Sequence, residues 1–397
     1  MRRAASLSLR TSPRPAPRLE GVTPYAPSRP DPGVDLRLDG NEGEAPAADV
    51  LAALAILSPE RVRRYPDARS LEHLWAEILS VAPDHLLVTA GADEALDRVM
   101  RAFVPNGGEV ILPVPTFEML PRWARLAGGT ITEVEWPGGK FPTALVCSRV
   151  SAATAVIAVV SPNNPTGAVA TPADLTRLAC AAPHAILLVD LAYGEFASVD
   201  LFATAAALPN AVATRTLSKA WGLAGVRIGC AVAVPEITSA LRAAAGPYTV
   251  ASPSIALAEA ALGAGGRMRA FVAGVRQRRA ALDRRLRALG AEPLPSEANF
   301  VLARFVDAGA VARGLAGRGI AVRHFSGDPR LASWLRFTVP ICDADLERLF
   351  AALADVAAQT PFAGNGKAAA RSDPMPDRRQ PRRAASGLSR PSAVPKG

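Results

Sequence analysis

The strongest constraint on the fold is a series of short apolar segments that alternate with helical ones through the middle of the chain. Leu86-Leu-Val-Thr89, the stretch 109–114, Ala155-Val-Ile-Ala-Val-Val160, Ala185-Ile-Leu-Leu-Val-Asp190, 211–216 and 228–234 all read as buried strands. Between them lie an amphipathic helix ending at Phe103 and a helix over 171–181. This alternation predicts an α/β fold with a mostly parallel central sheet sandwiched by helices. From about residue 265 the texture changes. A long arginine-rich helix (268–289) leads to the stretch 296–304, a helix at 307–318, strands at 319–323 and 335–339, and a closing helix at 343–358. That pattern predicts a smaller α+β domain, and a chain of 397 residues has room for both.

The net charge of +9 suggests a polyanionic partner until it is located. Residues 1–30 hold six arginines and one glutamate, and 362–397 hold eight basic and two acidic residues, so the body between them is close to neutral. Both ends, 1–33 and 361–397, are rich in Arg, Pro, Ala and Ser and read as disordered, solvated tails without specific nucleic-acid binding. The start, Met1-Arg-Arg-Ala-Ala-Ser, is rich in Arg and Ser as transit peptides are, but it lacks the apolar centre of a secretory signal. Because both ends share one composition, the bias reads as general rather than as targeting. No uncharged run is long enough for a membrane helix. Cys147, Cys180, Cys230 and Cys342 are widely spaced, with no Cys-x-x-Cys, and read as buried free thiols in a reducing, cytoplasmic setting with no metal site.

The chemistry concentrates in Thr214-Arg-Thr216-Leu-Ser218-Lys219-Ala-Trp-Gly-Leu-Ala-Gly-Val-Arg227-Ile-Gly229. Two hydroxyls and an arginine suit a phosphate, since the guanidinium fork pairs with two oxygens while hydroxyls donate to others. A lysine beside a bound phosphate can attack a carbonyl and form a Schiff base. An isolated Ser-Lys is usually a solvated loop pair. Here Lys219 is one of four lysines against forty-one arginines, in a composition that otherwise avoids lysine. The stretch resembles the signature of fold-type I aminotransferases that depend on pyridoxal phosphate, closest to the histidinol-phosphate aminotransferase branch.

Other stretches extend the resemblance over roughly 34–358. Gly91-Ala92-Asp93-Glu94 opens a helix after a buried strand. Its amides suit a phosphate, and its carboxylates suit the helix start. Both readings can hold together, and in the family the cofactor phosphate sits here. Pro115-Thr-Phe117 supplies a ring that lies on the pyridine in the family, against the alternative of a core phenylalanine. Ser161-Pro-Asn-Asn164-Pro-Thr-Gly167 sets an asparagine at a strand's carboxyl end, where ligands of open α/β sheets bind. Asp190 ends an apolar strand, and a carboxylate there needs a cation such as a protonated pyridine nitrogen. Asp190-Leu-Ala-Tyr193 matches the family's Asp-Glu-Ala-Tyr except at Leu191. Asn41, in Asp39-Gly-Asn41-Glu-Gly43-Glu44, matches the family's N-terminal arm only in part, with Asp39, Gly43 and Glu44 as departures. Arg323 and Arg336 correspond to arginines that face the substrate. Within an apolar strand, Arg336 is either a ligand-binding group or half of a structural ion pair. Arg64-Tyr65-Pro resembles the segment whose tyrosine reaches the neighbouring subunit's cofactor, which implies a homodimer with composite sites.

The resemblance implies an amino-acid-biosynthetic aminotransferase that acts on a small amino acid or amino-phosphate with a 2-oxo acid acceptor. A decarboxylase of the threonine-phosphate type is the alternative, because it would share every cofactor contact. Lys219 then holds the cofactor and moves protons, Asp190 keeps the ring nitrogen protonated, and Asn164 and Tyr193 tune its oxygen. The phosphate falls to Ala92, Asp93, Thr216, Ser218, Arg227 and the partner's Tyr65, with Phe117 on the ring and Asn41, Arg323 and Arg336 toward the substrate. The implied divisions are an arm at 34–50, a large domain at 51–264 and a small one at 265–360.

Overall fold

Strands form where the apolar runs lie. In chain order they are β1 (Leu36–Leu38), β2 (Leu86–Thr89), β3 (Glu109–Val114), β4 (Thr130–Glu135), β5 (Thr154–Val160), β6 (Ile186–Asp190), β7 (Ala211–Thr216), β8 (Gly229–Val232), β9 (Glu292–Pro293), β10 (Phe300–Arg304), β11 (Ile320–His324) and β12 (Trp334–Thr338). The computed structural model describes residues 14–19, 22, 24, 25 and 32–362. Seven strands make one sheet in the order β2-β8-β7-β6-β5-β3-β4. All its pairings are parallel except the two made by β8, which runs against both neighbours. Period-two alternation sends Ile157, Val159, Leu187 and Val189 into one apolar layer and Val156, Ala158, Ile186 and Leu188 into the other. Each layer is covered by helices. The central strands β5 and β6 therefore carry no polar face, whereas the edge strand β4 exposes Thr130, Glu133 and Glu135.

A second sheet, β1-β11-β12-β10-β9, holds the arm and the C-terminal third together. Its long flanking helix, Gly265–Ala288, begins at the glycine pair rather than at 268, and the closing helix is Asp343–Gln359. The arm contributes β1, which runs parallel to β11. The described residues 32–362 belong to a single compact unit.

Several local expectations are corrected. From the sequence, Ser70 reads as the N-cap of a helix ending at Leu79, but the helix is Arg69–Leu79 with Ala68 before it, and the Ser70 hydroxyl donates to Glu259 Oε1 at 2.6 Å instead. Of the four cysteines only Cys230 is buried, whereas Cys180 and Cys342 are exposed and Cys147 is half-buried, all as free thiols. Part of the N-terminal stretch is ordered. Pro17–Leu19 forms a 3-10 turn, and Tyr25 reaches the cavity described below. Phe362 is buried with its ring edge-on to Phe305, centroids 4.9 Å apart, so the packed body extends past 360. The remaining tail expectation lies outside the described residues. No helix among the described residues is long and apolar enough to cross a membrane.

Candidate active site

A cavity of about 420 Å³ opens where the parallel strands of the large sheet end, against β11, β12 and the arm. Chain direction delivers its groups. Ala92 and Asp93 follow β2, Phe117 follows β3, Asn164 follows β5, Asp190 ends β6, and Thr216, Ser218 and Lys219 follow β7. Because β8 is reversed, its start lies at the same edge and brings Arg227 there.

Asp190 is buried, and both hydrogen bonds it accepts reach Oδ1, from Thr214 Oγ1 at 3.1 Å and the Ala192 amide at 3.0 Å. Burial pushes its pKa up to about 6, with a smaller push from Asp93, against the two hydrogen bonds. Among the described residues it makes no ion pair. A buried carboxylate of this kind calls for a cation. Leu191 turns into the apolar core, so the departure from Asp-Glu leaves the cavity side unchanged.

The anion cradle is built around Gly91. That residue has φ +80°, and a Cβ there would stand 2.6 Å from Arg227 Nη2, so only glycine lets the guanidinium lie across the helix start. Arg227 itself adopts φ 57° and pairs with Asp93 at 3.0 Å. Its Nη1 lies 3.5 Å from Ser218 Oγ, which is 2.9 Å from Thr216 Oγ1. Glu94 serves the helix instead, accepting from the Ala90 amide at 2.5 Å and pairing with Arg98 at 2.6 Å.

Lys219 Nζ donates to Gly40 O at 3.1 Å and sits 5.9 Å from the centre of the Tyr193 ring. The arm crosses its loop in direct backbone contact. A Cβ on Gly43 would overlap Lys219 O, which explains glycine at that departure. Asn41, also with positive φ, donates from Nδ2 to the buried Tyr193 hydroxyl at 3.0 Å and exchanges hydrogen bonds with Thr338.

Arg336 is 7% exposed and makes no ion pair among the described residues. Its Nη1 donates to Asn164 Oδ1 at 2.5 Å and its Nη2 to Asp39 O at 2.7 Å, while Nε has no partner. Burial lowers its pKa. The structural-ion-pair alternative therefore fails for Arg336. It holds for Arg323, whose Nη2 is 3.3 Å from Glu118 Oε1. Tyr65 is not brought to the cavity of its own chain; it is 79% exposed and stacks on Tyr248 with centroids 4.5 Å apart. Sequence reasoning missed Tyr25, Arg37, Glu118 and Phe325 on the cavity wall, and Thr214 behind Asp190. Thr214 had a signal, since it shares a strand face with Thr216.

The family model for aminotransferase class I and II matches residues 35–353. The chain belongs to this family. Its aminotransferase relatives include the aromatic amino acid aminotransferase of Mycobacteroides abscessus, 34% identical over 79% of this chain and 92% of that protein. The histidinol-phosphate aminotransferase of Rhodospirillum centenum is 36% identical over 87% of this chain and 99% of that one. Among solved structures, the histidinol-phosphate aminotransferase of Sinorhizobium meliloti in complex with pyridoxal-5'-phosphate superposes with TM-score 0.77 at 25% identity, covering 89% of this chain and all of that one. This aminotransferase is thus a fold-type I enzyme of transamination that depends on pyridoxal phosphate. Its own residues fit that group, with a buried carboxylate lacking a cation, a glycine-floored anion cradle and a lysine lining the same cavity.

Proposed function

We propose that the aminotransferase moves the amino group of a small amino acid or amino-phosphate to a 2-oxo acid, with Arg336 as the seat of the substrate's anionic end. One observation carries this reading. Arg336 is a buried guanidinium without a carboxylate, opening into the cavity that holds Lys219 and Asp190. A cation left so needs an anion supplied from outside.

When bound, pyridoxal phosphate supplies a carbonyl that condenses with amines and a ring that takes up the electron pair released at the substrate's α-carbon. Arg227, Ser218, Thr216 and the amides of Ala92 and Asp93 hold its phosphate. Asp190 holds a proton at the ring nitrogen, and its raised pKa suits a carboxylate that shares one. Asn164 and Tyr193 would tune its ring oxygen, and Phe117 would pack against the ring. Lys219 Nζ would be the atom that holds the group and could move a proton. Asn41 ties Tyr193 to Thr338 and fixes the arm over the site. Functionally the body divides into 51–264, which holds the cofactor, and 265–360, which with the arm at 34–50 presents the substrate arginines.

The working form is a cytoplasmic homodimer. Tyr65 and Tyr248 stack on the surface, and Leu51, Leu54, Ile56 and Val62, which precede Tyr65 in the chain, are exposed as well, which suits a two-fold interface. The four unpaired thiols fit a reducing compartment. Arg336→Gln tests the substrate reading. KM for every accepted amine should rise, with a loss on the order of 2–5 kcal/mol in kcat/KM, while cofactor content stays unchanged. An unaltered KM would make Arg336 structural.

A further inference from the structure

The geometry points to Glu118 as a specificity-determining residue that matches the site to a substrate end of one negative charge, a carboxylate, rather than to a dianionic phosphate monoester. This inference rests on the reading of Arg336 as the anion seat and asks which anion that seat prefers.

Arg323 and Arg336 are direct cross-strand partners in the antiparallel pair β11–β12. Such partners share a face of the sheet, and like charges placed so repel. Both guanidiniums also stand against one ring, Phe325, at 5.6 Å and 5.8 Å from its centroid. Two positive charges side by side would make a strong dianion site, since a phosphate monoester carries close to two negative charges at neutral pH.

Glu118 changes that balance. It follows the cavity ring Phe117, lines the same cavity, and pairs with Arg323 at 3.3 Å. One carboxylate against two guanidiniums leaves a single uncompensated positive charge, on Arg336. Three further wall carboxylates are matched by arginines of their own, Asp39 by Arg37 at 3.2 Å, Asp93 by Arg227 at 3.0 Å and Asp328 by Arg330 at 3.1 Å. The two that make no ion pair among the described residues are Glu42, which acts electrostatically on Arg37, and Asp190, which ends β6 on the opposite sheet. A carboxylate substrate satisfies Arg336 and leaves the Glu118–Arg323 pair in place. A phosphate dianion must either detach Arg323 from Glu118 or sit with its second charge near the Glu118 carboxylate. Glu118 is 54% exposed at its side chain, so solvent screens the pair and the discrimination is moderate.

Calorimetry on the holoenzyme tests this with two amine-free ligands, hydrocinnamate as the monocarboxylate and phenyl phosphate as the dianion, at pH 7.5. The unmodified protein should bind hydrocinnamate more tightly. Glu118→Gln should tighten phenyl phosphate about fivefold, the scale of one partly exposed charge, and leave hydrocinnamate nearly unchanged. The exposed position tolerates this substitution without loss of fold, which far-UV circular dichroism checks. In an Arg323→Gln background the Glu118→Gln effect should largely vanish, as a pairwise interaction requires. Equal change for both ligands, no change for either, or a wild-type site that does not favour hydrocinnamate overturns the assignment. Arg336→Gln separates the two levels. If it weakens both ligands while Glu118→Gln leaves their ratio fixed, only the role of Glu118 falls. If it weakens neither, the anion seat itself is wrong.

Discussion

Asp190 on β6 and Thr214 on β7 are register partners, and the Thr214 hydroxyl lies 3.1 Å from Asp190 Oδ1 at the edge of the cavity. The threonine fixes the rotamer of a carboxylate that burial disfavours in its charged form. This aminotransferase thus holds a destabilised group in place, ready for a cation.

That relationship has a consequence for stability. The Asp190 pKa is about 6 in the folded chain against 3.8 ordinarily. The folded state therefore holds this proton over a pH range in which the unfolded state has lost it, and ionisation opposes folding. The penalty is absent below about pH 3.8, grows up to about pH 6 and is complete above it, where it reaches on the order of 3 kcal/mol. Asp190→Asn should therefore stabilise the cofactor-free protein in urea at pH 7.5, with roughly half the gain at pH 5. A gain that is the same at both pH values, or a loss at both, would contradict this account of Asp190.

The arm and the lysine loop give a second prediction. A Cβ at Gly43 would overlap Lys219 O, and a backbone contact cannot yield as a side chain can. Gly43→Ala should cost roughly 1–3 kcal/mol, the usual range for overpacking, and should weaken cofactor retention by shifting Lys219. Cofactor dissociation followed by fluorescence checks it. Retention equal to that of the unmodified protein would show that the arm moves independently of the loop.

Composite sites give a third. If Tyr65 serves the neighbouring subunit, a mixed dimer of Tyr65→Phe and Lys219→Ala chains has one site with both defects and one with neither. With random pairing at equal input, about a quarter of all sites should be intact by two-fold symmetry. Turnover should then exceed the mean of the two parents, provided Tyr65→Phe alone is impaired. No rise, with mixed dimers confirmed by native mass spectrometry, would remove Tyr65 from the partner's site.

Much of this was legible in the residues because the physics is local. The strand at 211–216 is Ala211–Thr216 as expected, since apolar runs bounded by turns have little freedom. The groups from Ala92 to Arg227 share a cavity because parallel strands all end at one edge, a consequence of chain direction. Long-range geometry was not legible. Nothing in Gly229-Cys-Ala-Val232 announces that β8 runs backwards, and nothing in Glu118 announces an arginine two hundred residues away. Tyr25 sits in an Arg- and Pro-rich stretch whose composition hides its place on the cavity wall. Ser70 misled because a serine near a helix start suits a cap, yet the helix begins one residue earlier and the hydroxyl finds Glu259. Cys180 and Cys342 misled because apolar neighbours in sequence do not fix which side of a helix, or which end, a residue occupies.

The central claim is that Lys219 is the residue through which the cofactor is held. The direct measurement is peptide mapping by mass spectrometry after the protein is saturated with pyridoxal phosphate and reduced with borohydride. The account predicts one dominant pyridoxyl-modified peptide, carrying the group on Lys219, and its disappearance in Lys219→Ala while the fold persists by circular dichroism. Stoichiometric modification at Lys140 instead, or an adduct retained in full by Lys219→Ala, would contradict it.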